Sequence, residues 1–219
     1  MSLNSSEKFH LKLAEHYRNC LKKHGDSTLG MDWPDREQNF KRFALMTEMF
    51  QHVITEDGEP LRILDFACGT SHYYDYLKSR AIASHINYMG IDINPDAIDI
   101  AMNKYPNNSY VCMDILKSTD GIGKHDYILI NGLFTQKRGM NDSQMCQFLI
   151  NTLNALYPHF TKGLAFNAMS GQVDFRQEDA FHLDLNWITS MIVNKFTRDF
   201  IVRHDYGLYE NTIFILKTI

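Results

Sequence analysis

The sequence predicts an α/β protein in which one mostly parallel sheet carries helices on both faces. Three observations support this class. Short apolar runs alternate with amphipathic helical patterns after Pro60, only helical patterns occur before it, and the chain closes with two apolar runs joined by a short link. A length of 219 residues suits a sheet domain over residues 59–219 with a helical cap over residues 1–58, forming one structural unit.

The cap is predicted to hold two helices. Within residues 5–24, apolar side chains recur every three or four positions, which is the spacing of an amphipathic helix. A second helix is expected from Pro34 to about Ile54, because proline is well tolerated in the first turn of a helix.

The sheet domain is predicted from the alternation that follows. A right-handed crossover between successive parallel strands gives a doubly wound, Rossmann-like topology, and the closing hairpin adds at least one antiparallel strand. Strands are expected at 61–66, 87–92, 109–114, 126–130, 163–169, 200–204 and 212–218, and helices at 71–80, 95–104, 141–157 and 184–196.

Composition and charge disfavour several classes of function. Lys and Arg total 22 against 26 for Asp and Glu, and binding to a phosphate backbone usually needs clustered basic residues, so we expect no nucleic-acid partner. No apolar run approaches the roughly 18 residues that cross a bilayer, and no signal peptide is recognisable. The four cysteines are scattered without a C-x-x-C pair, which predicts neither a metal site nor disulfides and favours a cytoplasmic protein.

Three successive predicted strands each end at an aspartate. The carboxyl ends of parallel strands form the ligand side of an open α/β sheet. Asp65 precedes a loop of small residues, and its carboxylate suits an amino-acid ammonium group better than a pyrophosphate. Asp92 suits the two hydroxyls of a ribose, while Asp114, which is followed by the apolar Ile115, suits an adenine.

These strand ends resemble the motifs of class I S-adenosylmethionine (SAM)-dependent methyltransferases. LRILDFACGTSHYYDYL resembles the first motif, YMGIDINPDAIDIA the second, YVCMDIL the third and HDYILINGLF the fourth. The resemblance implies a seven-stranded sheet of order 3-2-1-4-5-7-6 with the last strand antiparallel. It also implies SAM as the cofactor, bound by Asp65, Ala67, Cys68, Gly69, Asp92, Ile93, Asp114, Ile115 and Asn131.

Two segments outside these motifs sharpen the resemblance. GMDWPDREQNFKRF and RHDYGLYENTIFILK are similar to a subgroup of small bacterial methyltransferases without an assigned substrate. A helix before the first strand commonly covers the methionine end of SAM in this family. The resemblance therefore implies that Arg42, or else Arg36, pairs with the methionine carboxylate, for which a guanidinium fork is well shaped. Trp33 could form part of a lid or belong to the core of the cap.

The first motif departs from the family pattern. The family carries three glycines in D-x-G-x-G-x-G, and this chain has Ala67, Gly69 and Ser71 at those places. Alanine and serine enter positive φ less easily than glycine, so the sequence leaves open whether the loop weakens SAM binding, and it does not imply that binding is lost. A SAM-binding sensor without catalysis is therefore the alternative to an enzyme. An NAD-binding oxidoreductase is disfavoured, because ACGTSH lacks the first and last glycines of G-x-G-x-x-G.

The chemistry expected is an in-line methyl transfer to a small-molecule or sugar-type acceptor. Asn131 follows the fourth predicted strand, where its amide could orient an oxygen or nitrogen acceptor. His204, oriented by Asp205, could act as a base, although local hydrogen bonds within the hairpin are the favoured explanation of these residues. His72 is expected at the surface. The sequence leaves open the acceptor, the need for a base and whether the chain forms a homodimer.

Overall fold

A computed structural model of the chain describes residues 9–33, 35–54 and 58–217. Over these residues it contains a mixed sheet of order β3-β2-β1-β4-β5-β8-β7, with a two-residue strand, β6, paired to β5. The strands are β1 (Leu61–Phe66), β2 (Ile86–Asp92), β3 (Ser109–Cys112), β4 (His125–Phe134), β5 (Phe160–Ser170), β6 (His182–Leu183), β7 (Phe200–Arg203) and β8 (Glu210–Leu216).

The topology confirms the predicted fold class. The pairs joining β1, β2, β3, β4 and β5 are parallel, whereas β8 runs antiparallel to both β5 and β7. With the two-residue β6 set aside, the order is the predicted 3-2-1-4-5-7-6. The helices are α1 (Phe9–His24), α2 (Arg36–Glu48), α3 (His72–Ser79), α4 (Pro95–Lys104), α5 (Asp142–Leu156) and α6 (Leu185–Lys195).

Two apolar clusters hold the helices to the sheet. One contains residues of α2 and α3 packed with β1, β2 and β4, with Phe50 and Leu77 fully buried. The other contains residues of α5 and α6 packed with β4, β5 and β8, with Leu149 and Ile188 fully buried. Helix α1 contributes Leu13 to this second cluster, so the cap shares the core of the sheet domain.

Helix ends follow recognisable capping signals. Asn94 accepts a hydrogen bond from the Asp96 N–H ahead of α4, and Asn141 and Gln144 form a reciprocal capping box at α5. Asp35 caps α2 by accepting from two backbone N–H groups. The predicted start of this helix at Pro34 lies outside the described residues.

Some boundaries differ from the prediction. Helix α2 ends at Glu48, and only a 3-10 turn, Gln51–Val53, follows it where we expected a helix to about Ile54. Strand β4 extends to Phe134, through an irregularity in its register between Ile130 and Phe134. Strand β6 was not predicted, because two residues carry no readable alternation. The division into cap and domain at residue 58 stays a prediction, and residues 55–57 lie outside the described ranges.

None of the described helices is both long enough and apolar enough to span a bilayer.

Candidate active site

A pocket lies at the carboxyl ends of β1, β2 and β4 and beside the segment after β3, and the cap covers it. Its wall includes His10, Leu13, Ala14 and Tyr17 from α1. The wall also brings together every residue that the sequence predicted for the cofactor except Arg42. These residues are Asp65, Ala67, Cys68, Gly69, Asp92, Ile93, Asp114, Ile115 and Asn131.

The loop between β1 and α3 follows the left-handed path that three glycines would allow. The φ angles are 60° at Ala67, 53° at Gly69 and 65° at Ser71. The Ser71 hydroxyl donates to the hydroxyl of Tyr110 (3.1 Å), which ties this strained turn to β3. Ala67 and Ser71 therefore adopt the left-handed conformation although it destabilises residues that carry a Cβ. The contacts around the loop hold it in the shape that glycines would allow.

Asp65 is buried at the end of β1. It accepts a hydrogen bond of 2.6 Å from the hydroxyl of Tyr88. Burial raises the pKa of Asp65 to about 7, and the nearby charge of Asp92 adds to the rise, while the Tyr88 bond opposes it. A cation placed beside this carboxyl would stabilise its charged form, as the predicted ammonium role requires.

Asp92 joins the loop to the second strand. Its two oxygens accept backbone N–H bonds from Gly69 (2.9 Å) and Asn94 (2.8 Å). Burial raises the pKa of Asp92, and these backbone bonds counteract part of that rise. A carboxylate has about four acceptor sites, so lone pairs remain available for two ligand hydroxyls.

Asp114 is bonded to the cap. The ring Nε2 of His10 lies 3.0 Å from its Oδ2, and the Lys117 ammonium lies 3.2 Å from the same oxygen. Burial would raise the pKa of Asp114, but the bonds from His10 and Lys117 hold it below its usual value. Sequence reasoning missed the His10 contact because the two residues are 104 positions apart and no local pattern links them.

The cap also packs against two glycines of the sheet domain. A Cβ added to Gly69 would collide with the Met31 sulfur, and one added to Gly132 would overlap the Trp33 ring. Both glycines also have positive φ, at 53° and 82°. Residues 31–33, the covering segment, therefore lie directly on the ends of β1 and β4, and Trp33 is a wall residue of the pocket.

Charged residues fasten this segment to the domain. Asp32 is bonded to His16 of α1 (2.9 Å) and to Arg138, whose guanidinium also pairs with Asp179 at 2.7 Å. Cys20 lies 3.5 Å from His16, so His16, Cys20 and Asp32 also have the spacing of metal ligands. Because the Arg138 guanidinium already supplies the positive charge beside Asp32, we interpret the group as an ion-pair network.

Arg42 supports the pocket from behind its wall. Its Nε lies 3.0 and 2.9 Å from the two oxygens of Glu210, and a further guanidinium N–H completes a bidentate, buried ion pair. The guanidinium carbon lies 4.2 Å from the Trp33 ring centroid. Glu210 also accepts from Asn167 (2.8 Å), which in turn accepts from the Gly132 N–H (2.7 Å).

This arrangement leaves the predicted carboxylate role of Arg42 without geometric support. The residue is not part of the pocket wall, and its fork is already filled by a carboxylate of the chain itself. Arg36, the alternative, also lies off the pocket wall, with its guanidinium 5.3 Å from the Phe40 ring centroid.

His204 and Asp205 do not form the predicted pair. The His204 Nδ1 bonds to the backbone carbonyl of Glu210 (2.7 Å), while the Asp205 carboxylate bonds to Arg203 at 2.6 and 3.0 Å. Neither residue lines the pocket. These are the local hairpin bonds that the sequence had left open, and the catalytic role of His204 stays a prediction.

His72 lies in the pocket wall rather than on an open surface. Its Nε2 is 2.8 Å from Asp26, which also accepts from Thr70 (2.5 Å) and lies 3.0 Å from the Lys104 ammonium. Burial would raise the pKa of Asp26, but the hydrogen bonds from His72, Thr70 and Lys104 hold it well below its usual value. The pairing holds the imidazole of a wall residue in place.

Comparisons with known proteins agree with this geometry. Residues 63–159 match the family described as "Methyltransferase domain". A protein of Mycobacterium tuberculosis (strain ATCC 25618 / H37Rv), named "Putative methyltransferase Rv1506c", is 25% identical over 169 residues, which cover 75% of this chain and 98% of that protein.

Solved structures share the fold. The plantazolicin methyltransferase BpumL, in complex with a desmethyl-plantazolicin analogue and S-adenosylhomocysteine (SAH), has a TM-score of 0.64 at 17% identity, covering 98% of each chain. The magnesium protoporphyrin IX methyltransferase of Synechocystis PCC 6803, with bound SAM, has a TM-score of 0.60 at 11% identity, covering 99% of each chain. Residues 63–159 therefore form a methyltransferase domain, and the described chain has the fold of class I SAM-dependent methyltransferases of known structure.

The residues of the pocket suit SAM. Three carboxyl groups lie at its wall in chain order, and Ile93, Ile115 and Leu116 supply apolar contacts near Asp114. Two buried amide oxygens, those of Asn39 and Asn131, have no hydrogen-bond partner and belong to residues of the same wall. Buried polar groups without partners are rare in proteins, so these oxygens indicate a polar ligand.

Proposed function

We propose that this methyltransferase acts on a small, uncharged organic acceptor held between the cap and the ends of β1 and β4. The observation that supports this is the character of the wall on that side, where Trp33, Phe43 and Tyr73 supply aromatic surface. No Lys or Arg belongs to the wall among the described residues. A polyanion would require such cations, whereas a neutral acceptor would not.

Four of the predicted site residues have a defined part in this proposal. Asp65 faces the ammonium of SAM, Asp92 its ribose hydroxyls and Asp114 its adenine. SAM supplies an activated methyl group on a sulfonium that leaves as a neutral thioether. Asn131 directs its amide at the acceptor, and the aromatic wall excludes water. Placing donor and acceptor in line accounts for most of the rate enhancement expected of such a site.

An acceptor that must lose a proton requires a base, and we assign this role to His72 rather than His204. His72 lies in the pocket wall with its ring oriented by Asp26, and His204 lies outside the wall. Tyr17 is unsuitable because burial raises the pKa of its hydroxyl far above neutrality. A positioned base typically contributes about 10²–10⁴-fold to the rate.

The two histidines can be separated by substitution. His72→Asn should lower kcat by about 100-fold or more. His204→Asn should leave kcat within about threefold of the wild type, since its ring bonds only to the hairpin backbone among the described residues. A loss of turnover in His204→Asn alone would reinstate His204 as the base.

The acceptor class is tested by measuring SAH formation. The purified chain is incubated with SAM and with separate panels of phenols, heteroaromatic compounds, neutral aromatic amines and sugars, and with RNA and DNA as comparison. SAH released with a member of the small-molecule panels, and not with nucleic acid, is the expected result. Turnover confined to RNA or DNA would contradict the proposal, and turnover on a sugar would select that branch of it.

A further inference from the structure

Asn39 is a buried amide that the fold leaves without a partner. It lies in the first half of α2, is 3% exposed and forms part of the pocket wall. Its Oδ1 has no hydrogen-bond partner. A primary amide can rotate to present either its N–H donors or its oxygen, so it can serve either sign of ligand charge.

The pocket wall supplies acceptors for a cationic group and no cation for an anionic one. Asp65 is a buried carboxyl in the wall, but no described wall residue is Lys or Arg. Arg42, which the sequence predicted for the carboxylate of SAM, is already paired with Glu210. The amino-acid end of SAM carries both an ammonium and a carboxylate, and a buried carboxylate needs hydrogen-bond donors.

The packing of α2 places Asn39 toward that end of the pocket. One helical turn further along α2, Phe43 packs on Tyr73 of α3 with ring centroids 5.4 Å apart, directly after the loop of Asp65. In the same turn of α2, Arg42 stacks on Trp33, which covers Gly132 at the end of β4. The adenine end, marked by Asp114, is covered by α1 instead.

We propose that the Asn39 amide donates its N–H groups to the carboxylate of SAM, so that an uncharged clamp from α2 takes the place of an arginine. The inference rests on the cofactor site and needs no particular acceptor. With the amide rotated so that its N–H groups take the position of the unpartnered oxygen, the inference accounts for that position and for the absence of Lys and Arg from the described wall.

The test is calorimetric titration of the full chain with two ligands. SAH carries the amino-acid end, and 5′-methylthioadenosine carries the same adenosine without it. Asn39→Ala should weaken SAH binding about 10- to 100-fold, the range expected for a hydrogen bond to a charged group, and leave methylthioadenosine binding within about twofold. Asn39→Asp should weaken SAH binding further, because two carboxylates would face each other, again without affecting methylthioadenosine.

A control and a stability measurement exclude indirect effects. Asn103→Ala, an exposed asparagine of α4, should bind both ligands as the wild type does. Asn39→Ala should not lower the thermal midpoint of the ligand-free protein, because it removes a buried group that has no partner.

Three results would overturn the inference. An equal loss of both ligands in Asn39→Ala would show a structural role. Unchanged SAH binding would show that the amide does not contact the amino-acid end, and SAH binding in Asn39→Asp at or above the wild-type level would show that it faces the ammonium. Wild-type protein that binds neither ligand would overturn the cofactor site itself, whereas failure of every acceptor with normal SAH binding would affect only the proposed acceptor.

Discussion

Ala67 holds a backbone conformation that its own side chain opposes. Its φ of 60° lies in the left-handed region, where an L-residue with a Cβ is destabilised by about 1–2 kcal/mol. The loop nevertheless needs this path, because the Gly69 N–H two residues on must reach Asp92. The strain is therefore a local cost of shaping the site.

Replacing Ala67 with glycine should relieve this strain. We expect Ala67→Gly to stabilise the ligand-free protein by about 0.5–1 kcal/mol, after allowing for the greater freedom of glycine in the unfolded chain. In thermal unfolding this corresponds to a rise of roughly 1–4 °C in Tm. Ala81, with φ of 57° and no place in the pocket wall, provides the matched variant Ala81→Gly. A lower Tm for Ala67→Gly beside a higher one for Ala81→Gly would refute this explanation.

The Asp65 carboxyl couples ligand binding to pH. Its pKa of about 7 in the free protein arises chiefly from burial, and a bound ammonium would lower that pKa. Binding should then release a proton, and SAH affinity should fall as the pH drops from about 7 to about 5.5. Titrations in buffers of different ionisation enthalpy measure this proton release, and affinity that is constant over the interval would contradict the ammonium role.

Asp65→Asn provides the control for this coupling. It should abolish the proton release and weaken SAH binding. It should also stabilise the free protein near pH 7. The pKa of Asp65 is higher in the folded than in the unfolded protein, so the wild type loses stability as the pH rises above the unfolded-state pKa and regains it as the pH falls. Asparagine does not ionise and avoids this loss.

At the scale of elements, the covering segment before α2 is fitted to the sheet by glycine contacts. Trp33 rests on Gly132, where β4 departs from regular register, and Arg42 of α2 stacks on the same indole. The network from Arg42 through Glu210 and Asn167 returns to the Gly132 N–H. The wall of the pocket next to Asn131 is thus held by residues of α2, β4, β5 and β8.

A methyl group at Gly132 should displace Trp33. Gly139 has nearly the same φ as Gly132 (86° against 82°), but a Cβ there would meet open space. Gly139→Ala therefore measures the backbone strain alone, which is about 1–2 kcal/mol. Gly132→Ala should lose about 1–3 kcal/mol more through overlap with the indole. In a Trp187→Phe background, fluorescence of Trp33 should shift to the red in Gly132→Ala and not in Gly139→Ala. Equal losses with unchanged emission would contradict the contact.

At the scale of the whole molecule, local patterns predicted the sheet and the side of the pocket wall that the strand ends form. The strand-end acids and the small-residue loop are adjacent in sequence to the strands that position them, so Asp65, Asp92 and Asp114 could be assigned together. The cap contacts could not be predicted, since His10 and Asp114, or Arg42 and Glu210, are joined only by the tertiary fold. Arg42 is the clearest example. Its position in the sequence suits binding of a ligand carboxylate, but its guanidinium is already paired with Glu210, 168 residues away.

Calorimetric titration of the wild type, Asp92→Ala and Asp99→Ala with SAM, SAH and NAD tests the cofactor site directly. Asp99 is an exposed acid of α4 outside the pocket wall, so its variant controls for loss of charge. We predict that the wild type and Asp99→Ala bind SAM and SAH but not NAD, and that Asp92→Ala binds both adenosyl ligands about 10- to 100-fold more weakly. Absence of SAM and SAH binding by the wild type, or full affinity in Asp92→Ala, would contradict the site described above.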